Sequence, residues 1–392
     1  MNQLTLTLAH ENSDDYFGNL SAFLGTPLDG YWQDQFGDAL RRWAVAAHPP
    51  RIKTLSLFSG AGGLDIAFHD AGYEVRALVE IEPRFVKTLE ANSGPNKYLG
   101  HNYIFNVDIR NFESGGIGEV DFIIGGPPCQ TFSAAGRRAA GVAGLKDSRG
   151  TLFGEYVRLL RELNPKGFLF ENVYGITGAE QGSAWDQIIS EFRKVGYQVS
   201  WRILDSADFG VPQHRERVFI VGQKTGQFLF PRPTHGPDSL TDRNFVDAKS
   251  VVGDVQISNS DSLRKVVGRY GRLLDEIPPG LNYSFFTEKF NHPRPVFAWR
   301  SKFSDFLYKA HPDYPVRTVK AQGGQYTGPF HWDSRPFTLD ELKRLQTFPD
   351  AYRIVGGRGV VIHQIGNSVA PQQARILALA VLDQVFNFEL LT

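Results

Sequence analysis

The chain has a single cysteine among its 392 residues. One thiol excludes an intramolecular disulfide and any zinc site built from cysteines, and the ten histidines form no H-x-x-x-H or comparable ligand pair, so no metal is expected. No apolar run reaches the length of a membrane span, and the opening "MNQLTLTLAHENSDD" lacks the basic-then-apolar shape of a secretory signal. A cytoplasmic protein without a membrane partner is the expectation. Net charge is also missing, with 42 basic residues against 42 acidic ones, so the global basic signature of many nucleic-acid binders is absent. The charge is segregated, however. Residues 1–50 hold six acidic and two basic side chains, whereas residues 225–330 hold fourteen basic and ten acidic ones.

From residue 52 onward, short β-prone runs alternate with amphipathic segments: "KTLSLFS", "GLDIAFHDAG", "EVRALVEI", "FVKTLEAN", "VDFIIGG". This alternation predicts βαβ units and a parallel sheet. Further on, Leu152, Tyr156, Leu159, Leu160 and Leu163 form one helical stripe, and Trp185, Ile188, Ile189, Phe192 and Val195 form another that Gly196 closes. "GFLFENV" and "RVFIVGQ" read as two more strands. After residue 225 the periodicity decays into segments rich in proline, aromatics and Lys/Arg. It returns in "TLDELKRLQTF" and in a final helix that opens at Pro371. The expected organisation is an N-terminal extension of unknown role (1–50), a first domain of βαβ units (51–227), a smaller irregular or β-rich domain (228–330), and a C-terminal segment (331–392) that folds back onto the first domain.

Chemistry gathers at the strand ends. "LSLFSGAGGLDIAF" is a strand, a glycine turn and a helix, an arrangement that lets a ligand approach backbone N–H groups. The third glycine of the dinucleotide fingerprint is missing, and no phosphate-binding lysine follows the turn. Glu80 ends the next strand, where a carboxylate can take both ribose hydroxyls, and Asp108 ends another, within reach of an adenine amine. A phosphate-free nucleoside such as S-adenosylmethionine suits these groups better than NAD or ATP. Cys129 in "GGPPCQ" follows a strand and two prolines that stiffen the loop; it is either a presented nucleophile or a buried, inert thiol. Glu171 in "FLFENV" sits among apolar residues, where desolvation raises a carboxyl pKa; a strand-end salt bridge is the alternative. Arg215 and Arg217 share one face of an entering strand with Glu216 opposite, as a clamp for a carboxylate, phosphate or base carbonyl or as a surface ladder.

In order, "LFSGAGG", "VEIEP", "VDI", "GGPPCQTFS", "DSRGTLF", "ENV", "QHRERVFIVG", "RTVKA" and "QIGNSVAP" resemble the DNA (cytosine-5)-methyltransferases, especially those of bacterial restriction–modification systems. The likeness covers residues 52–225 and about 315–388. It implies a Rossmann-like S-adenosylmethionine-dependent α/β domain with a mostly parallel sheet, plus a target-recognition domain. It implies that Cys129 attacks C6 of a flipped cytosine in double-stranded DNA, that Glu171 protonates N3, that Arg217 holds O2, and that Arg215 orients the site or contacts the backbone. Cofactor contacts would come from Phe58, Ser59, Gly60, Gly62, Gly63, Glu80, Ile81, Asp108, Ile109, Pro128, Leu152, Asn367 and Val369, with S-adenosylhomocysteine as product. Ser56 stands where the family often has an acidic residue, and Ile81 where it often has an aromatic. DNA contacts would come from Gln130, Ser133, Arg137, Arg138, Arg149 and Thr318, with residues 133–150 as a loop closing over DNA. In the second domain, Lys289, Arg294, Arg300, Lys302 and Lys309 interleave with Phe290, Phe297, Trp299, Phe303 and Tyr308. The cations suit a DNA face, while most of the aromatics are expected in the core. A monomer is expected, with a cognate endonuclease that acts on the same DNA sequence. The alternatives are a tRNA cytosine-5 methyltransferase, whose extra cysteines and small recognition insert are not found here, a non-catalytic DNA-binding paralogue, and a Rossmann oxidoreductase.

Overall fold

In "VDFIIGG" and "FLFENV" consecutive residues are apolar, as in strands covered on both faces. The computed structural model describes residues 31–128, 152–178, 182–239, 243–258, 265–300 and 303–390, and it places these segments inside a seven-stranded sheet. The strands are β1 (Lys53–Leu57), β2 (Glu74–Glu80), β3 (Tyr103–Asn106), β4 (Phe122–Gly125), β5 (Gly167–Val173), β6 (Gln198–Asp205) and β8 (Glu216–Gln223), in the order β3-β2-β1-β4-β5-β8-β6. A separate two-stranded ribbon pairs β7 (Gln213–His214) with β9 (Val316–Arg317).

β1 to β5 run parallel, but β8 is antiparallel to both β5 and β6. The chain between β6 and β8 is too short for a crossover, so β8 returns beside β6, with Asp205 opposite Glu216. The alternating faces of the central strands feed two cores. Ala77, Val79, Ile123, Phe168, Phe170, Val218 and Ile220 pack under α4 (Leu152–Leu163) and α5 (Ser183–Lys194). Leu78, Phe122, Ile124, Leu169, Phe219 and Val221 pack under α1 (Trp32–Ala47), α2 (Gly63–Asp70) and α8 (Pro371–Phe386). Further helices are α3 (Pro83–Asn92), α6 (Leu339–Leu345) and α7 (Arg358–Asn367), besides two short ones at Ala248–Val252 and Leu273–Glu276. The C-terminal helix α8 lies on α2, so the end of the chain supports the glycine turn.

α1 is tied into this layer by charge as well as by apolar packing. Asp70 and Arg375 are fully buried, with Arg375 Nε 2.8 Å from Asp70 Oδ2, and Arg41 approaches the other Asp70 oxygen at 2.5 Å. Arg375 also donates to the carbonyl of Gln33 at 2.8 Å. Gly37 in α1 leaves room for that guanidinium, since a methyl group there would stand 2.3 Å from Arg375 Nη2. Removing one charge of a buried pair strands the other, at about 3–5 kcal/mol. Asp70→Asn is therefore expected to lower the urea unfolding midpoint sharply, and Asp70→Asn combined with Arg375→Met to recover most of the loss.

Between residues 245 and 337 regular structure is sparse among the described residues. Leu274, Ile277, Tyr283, Phe286, Leu307 and Phe330 form a separate small core held by turns and isolated bridges. Another cluster combines Val251, Ala310, Val316 and Val319 with Leu342, Leu345 and Ile365, joining this region to α6 and α7.

Candidate active site

Strand order reverses at β1, which pairs with β2 on one side and β4 on the other. Open α/β sheets bind ligands in the crevice outside the carboxyl ends of strands at such a point. A cavity of about 660 Å³ occupies that crevice. Its first wall is the turn between β1 and α2, where Phe58, Gly60 and Gly62 all take positive φ (57°, 59° and 84°). For Phe58 this is a sparsely populated conformation, and it places the side chain at the cavity edge, partly packed against the core. Every expected cofactor residue except Gly62 lines the cavity. Gly62 faces the opposite way, because a methyl group there would come within 2.6 Å of the Tyr352 hydroxyl, which itself donates to Ala61 O at 2.7 Å. Gly63 lies against the loop after α7, with no more than 2.3 Å between a methyl group there and Val369 O.

Glu80 is buried at the end of β2, and its two oxygens accept from Gly60 N and Glu82 N, each at 2.8 Å. Burial raises its pKa against those hydrogen bonds. Asp108 lies two residues past β3. It caps the following turn by accepting from Arg110 N at 3.0 Å and pairs with the Arg110 guanidinium, which holds its carboxyl below the usual range.

The second wall follows β4. A methyl group on Gly125 would meet Leu57 O at 2.5 Å, and one on Gly126 would meet Glu171 Oε2 at 2.5 Å, so both glycines are required by close approach. Asn172 Nδ2 donates to Pro127 O at 3.0 Å and fixes the proline pair to β5. Glu171 is buried beside it, and burial raises its pKa while Arg217 and Arg215 oppose the rise. Arg217 Nε stands 3.1 Å from Glu171 Oε1. Arg215 is fully buried; it donates to Gly366 O at 2.7 Å and Val319 O at 3.4 Å, bracing β8 against α7 and the β9 segment. Burial and the neighbouring Arg217 lower its pKa to about 9. Glu171, Arg215 and Arg217 line the same cavity as the glycine turn. Cys129, Gln130, Ser133, Arg137, Arg138 and Arg149 lie outside the described residues, as does the whole of the expected mobile loop.

The C-5 cytosine-specific DNA methylase profile matches residues 52–383. The chain belongs to that family. It is a DNA cytosine-5-methyltransferase. Among its relatives, type II methyltransferase M.SacI of Streptomyces achromogenes is 35% identical over 367 residues, covering 85% of this chain and 93% of that protein. M.NgoFVII of Neisseria gonorrhoeae, also a type II methyltransferase, is 36% identical, covering 84% and 86%. A crystal structure of a prophage-encoded DNA modification methyltransferase of E. coli shares the fold at a TM-score of 0.59 and 23% identity, over 86% of this chain and all of that one.

The structure corrects two expectations for the methyltransferase's irregular region. Lys309 is only 3% exposed, with Asp275 and Asp333 as its charged neighbours, so it does not belong to an open cationic face. Most of the five aromatics are not core: Phe290, Trp299 and Phe303 are 46%, 50% and 45% exposed, while Tyr308 is buried and Phe297 partly so. Exposure comes with cation–π pairing, Lys289 lying 4.3 Å above Trp299 and Arg300 5.5 Å from the Phe303 ring centre. Thr318 is half-buried and donates to His214 O at 2.8 Å. Lys302 lies outside the described residues.

Sequence inspection missed Asn172, Gly126 and Asp65. The first two adjoin residues it selected and carry only a steric or backbone role. Asp65 stood in the quoted glycine-turn segment, but only burial makes it conspicuous.

Proposed function

We propose that the enzyme transfers a methyl group from S-adenosylmethionine to C5 of a flipped-out cytosine in a short, specific double-stranded DNA sequence, through a covalent bond between Cys129 and C6. The observation that carries this is the Glu171–Arg217 pair on the wall of the same cavity as the glycine turn, beside the proline platform that leads directly to Cys129.

The cavity suits this cofactor. Phe58 offers a ring at its edge, Glu80 a carboxylate at the end of β2, and Asp108 with Ile109 a polar and an apolar contact past β3. Arg110, Arg215, Arg217 and His363 are the basic residues on the wall among the described residues. Arg110 is held by Asp108, Arg217 by Glu171 and Arg215 by backbone carbonyls, so none of these arginines is left for a phosphate at the glycine turn. When bound, the cofactor supplies an electrophilic methyl group on a sulfonium.

The chain's own groups prepare the acceptor. The Cys129 thiolate adds to C6 and breaks the ring's aromaticity, while Glu171, whose pKa burial raises, donates a proton to N3 so that negative charge does not build up. Arg217 moves from carboxylate to base, holding O2, and Arg215 holds the strand in place. The C5 carbon of the resulting enamine takes the methyl group. Loss of the C5 proton to a general base then expels the Cys129 thiolate by β-elimination and restores the ring. The target lies inside the duplex stack, so the base must flip, with Gln130, Ser133, Arg137, Arg138, Arg149 and Thr318 assigned to the surrounding DNA. The exposed Lys289–Trp299 and Arg300–Phe303 pairs favour DNA recognition by the irregular region. We place the enzyme in the cytoplasm as a monomer, the modifying half of a restriction–modification system whose endonuclease acts on the same DNA sequence independently.

Single-base detection of 5-methylcytosine in DNA from cells expressing the protein tests this. One reproducible short motif is expected. Unmodified DNA with methylated RNA would transfer the substrate to RNA, and no methylation in either would leave a binding protein.

A further inference from the structure

Asp65 occupies the first turn of α2, on the wall of the cavity, and is fully buried. Neither of its carboxylate oxygens makes a well-formed hydrogen bond, the Ser56 hydroxyl and its own backbone N–H being the donors close enough to favour the charge, and no ion pair holds it among the described residues. The groups that face it are Ser56 from β1, Glu80 from β2 and Tyr352 from the segment after α6; none is a cation. A buried carboxylate without a counter-charge is costly, and a fold retains one only where something relieves it.

We propose that Asp65 is the counter-charge to the ammonium of the cofactor's amino-acid tail, a positioning residue set in the cavity wall. This rests on the assignment of S-adenosylmethionine to the cavity. The cofactor carries two cationic centres, but a sulfonium has no N–H or O–H to donate, whereas an ammonium has three donors and a charge that can be felt by a carboxylate facing no cation. Ser56 and Ser59 both line the cavity with their hydroxyls 3.0 Å apart, and Ser56 also neighbours Asp65. The two hydroxyls form a path from the cavity to the carboxylate. Inside a poorly solvated wall, an opposite charge several ångströms away remains strongly felt.

The titration of Asp65 agrees with this role. Burial, reinforced by Glu80, pushes its pKa up to about 7, so near neutrality the empty site is partly protonated. A cation favours the ionised form and lowers that pKa, so binding expels a proton. Affinity for the cofactor is then lost as pH falls below about 7 and recovered as it rises.

The experiment is calorimetric binding to the full-length protein without DNA, between pH 5.5 and 7.5, where an α-amino group with a pKa of about 7.7–8.0 is mostly protonated. The probes are S-adenosylmethionine, S-adenosylhomocysteine and 5′-methylthioadenosine, which keeps the nucleoside but lacks the amino-acid tail. In the wild type, the first two are expected to bind more tightly as pH rises and to release a proton, measured in buffers of different ionisation enthalpy. Methylthioadenosine should release none, which separates Asp65 from Glu80. Asp65→Asn should weaken both tailed ligands about tenfold or more at pH 7.5, remove their pH dependence, leave methylthioadenosine unchanged and leave apo thermal stability undiminished. Unaltered binding by Asp65→Asn, or an equal loss for methylthioadenosine, would overturn the proposal. So would a wild type that releases no proton with the tailed ligands, a result independent of whether the variant folds. A wild type that binds none of the three would instead overturn the cofactor assignment.

Discussion

Cys129→Ala is expected to abolish methyl transfer, with a loss on the order of 10⁴-fold or more, while DNA affinity at fixed salt and cofactor binding stay near wild type. The size follows from the chemistry: C5 of an intact cytosine ring is a poor nucleophile, and only addition at C6 makes it enamine-like. No other thiol exists in the chain to substitute. Transfer of tritiated methyl groups to DNA measures the loss. DNA containing 5-fluorocytosine adds a second readout, because fluorine cannot leave as a cation and β-elimination stalls. The wild type should give a denaturant-resistant protein–DNA complex and the variant none. Residual methylation in the variant would remove Cys129 from the mechanism.

Glu171→Gln is expected to lower kcat by about 10²- to 10⁴-fold with little change in cofactor affinity. An amide can still meet N3 through a hydrogen bond but cannot deliver a proton, so the anionic ring is left unrelieved as the thiolate adds. The pH profile supplies the sign. Glu171 acts in its protonated form, which burial stabilises against Arg217 and Arg215. Its contribution is therefore complete below its raised pKa and declines as pH climbs through it. In Glu171→Gln that declining limb should vanish from the single-turnover profile, whereas a merely structural loss would lower the curve without changing its shape. The Arg217 contact at 3.1 Å makes Arg217 the natural second position of a double-mutant cycle.

The order of the motifs made the family legible before any coordinates, because each motif is short and its chemistry is local. A glycine turn after a strand, a stiff Pro-Pro step before a thiol, and a carboxylate among apolar residues all declare themselves within a few positions. The helical stripes were legible for the same reason: Tyr156, Leu159 and Leu160 are fully buried on α4, and the α5 stripe ends beside Gly196 in its left-handed conformation (φ 89°).

What the sequence could not carry are properties set by distant partners. The antiparallel course of β8 depends on which edge the chain returns to, and strand pattern has no sign for direction. Gly62 and Gly63 look alike in the sequence, yet one faces Tyr352 and the other Val369, and only Gly63 reaches the cavity. Lys309 looks like any cation of a basic segment until burial removes it from the surface. The Asp70–Arg375 pair spans 305 positions, and no periodicity links residues so far apart. Sequence by itself determined the family, the nucleophile expected of it and the nucleoside character of its cofactor, because these rest on residue type and short spacing. Tertiary structure alone decided which carboxylates are stripped of water and which of them, Asp65 above all, face no cation, because solvation belongs to the packed chain and not to any segment of it.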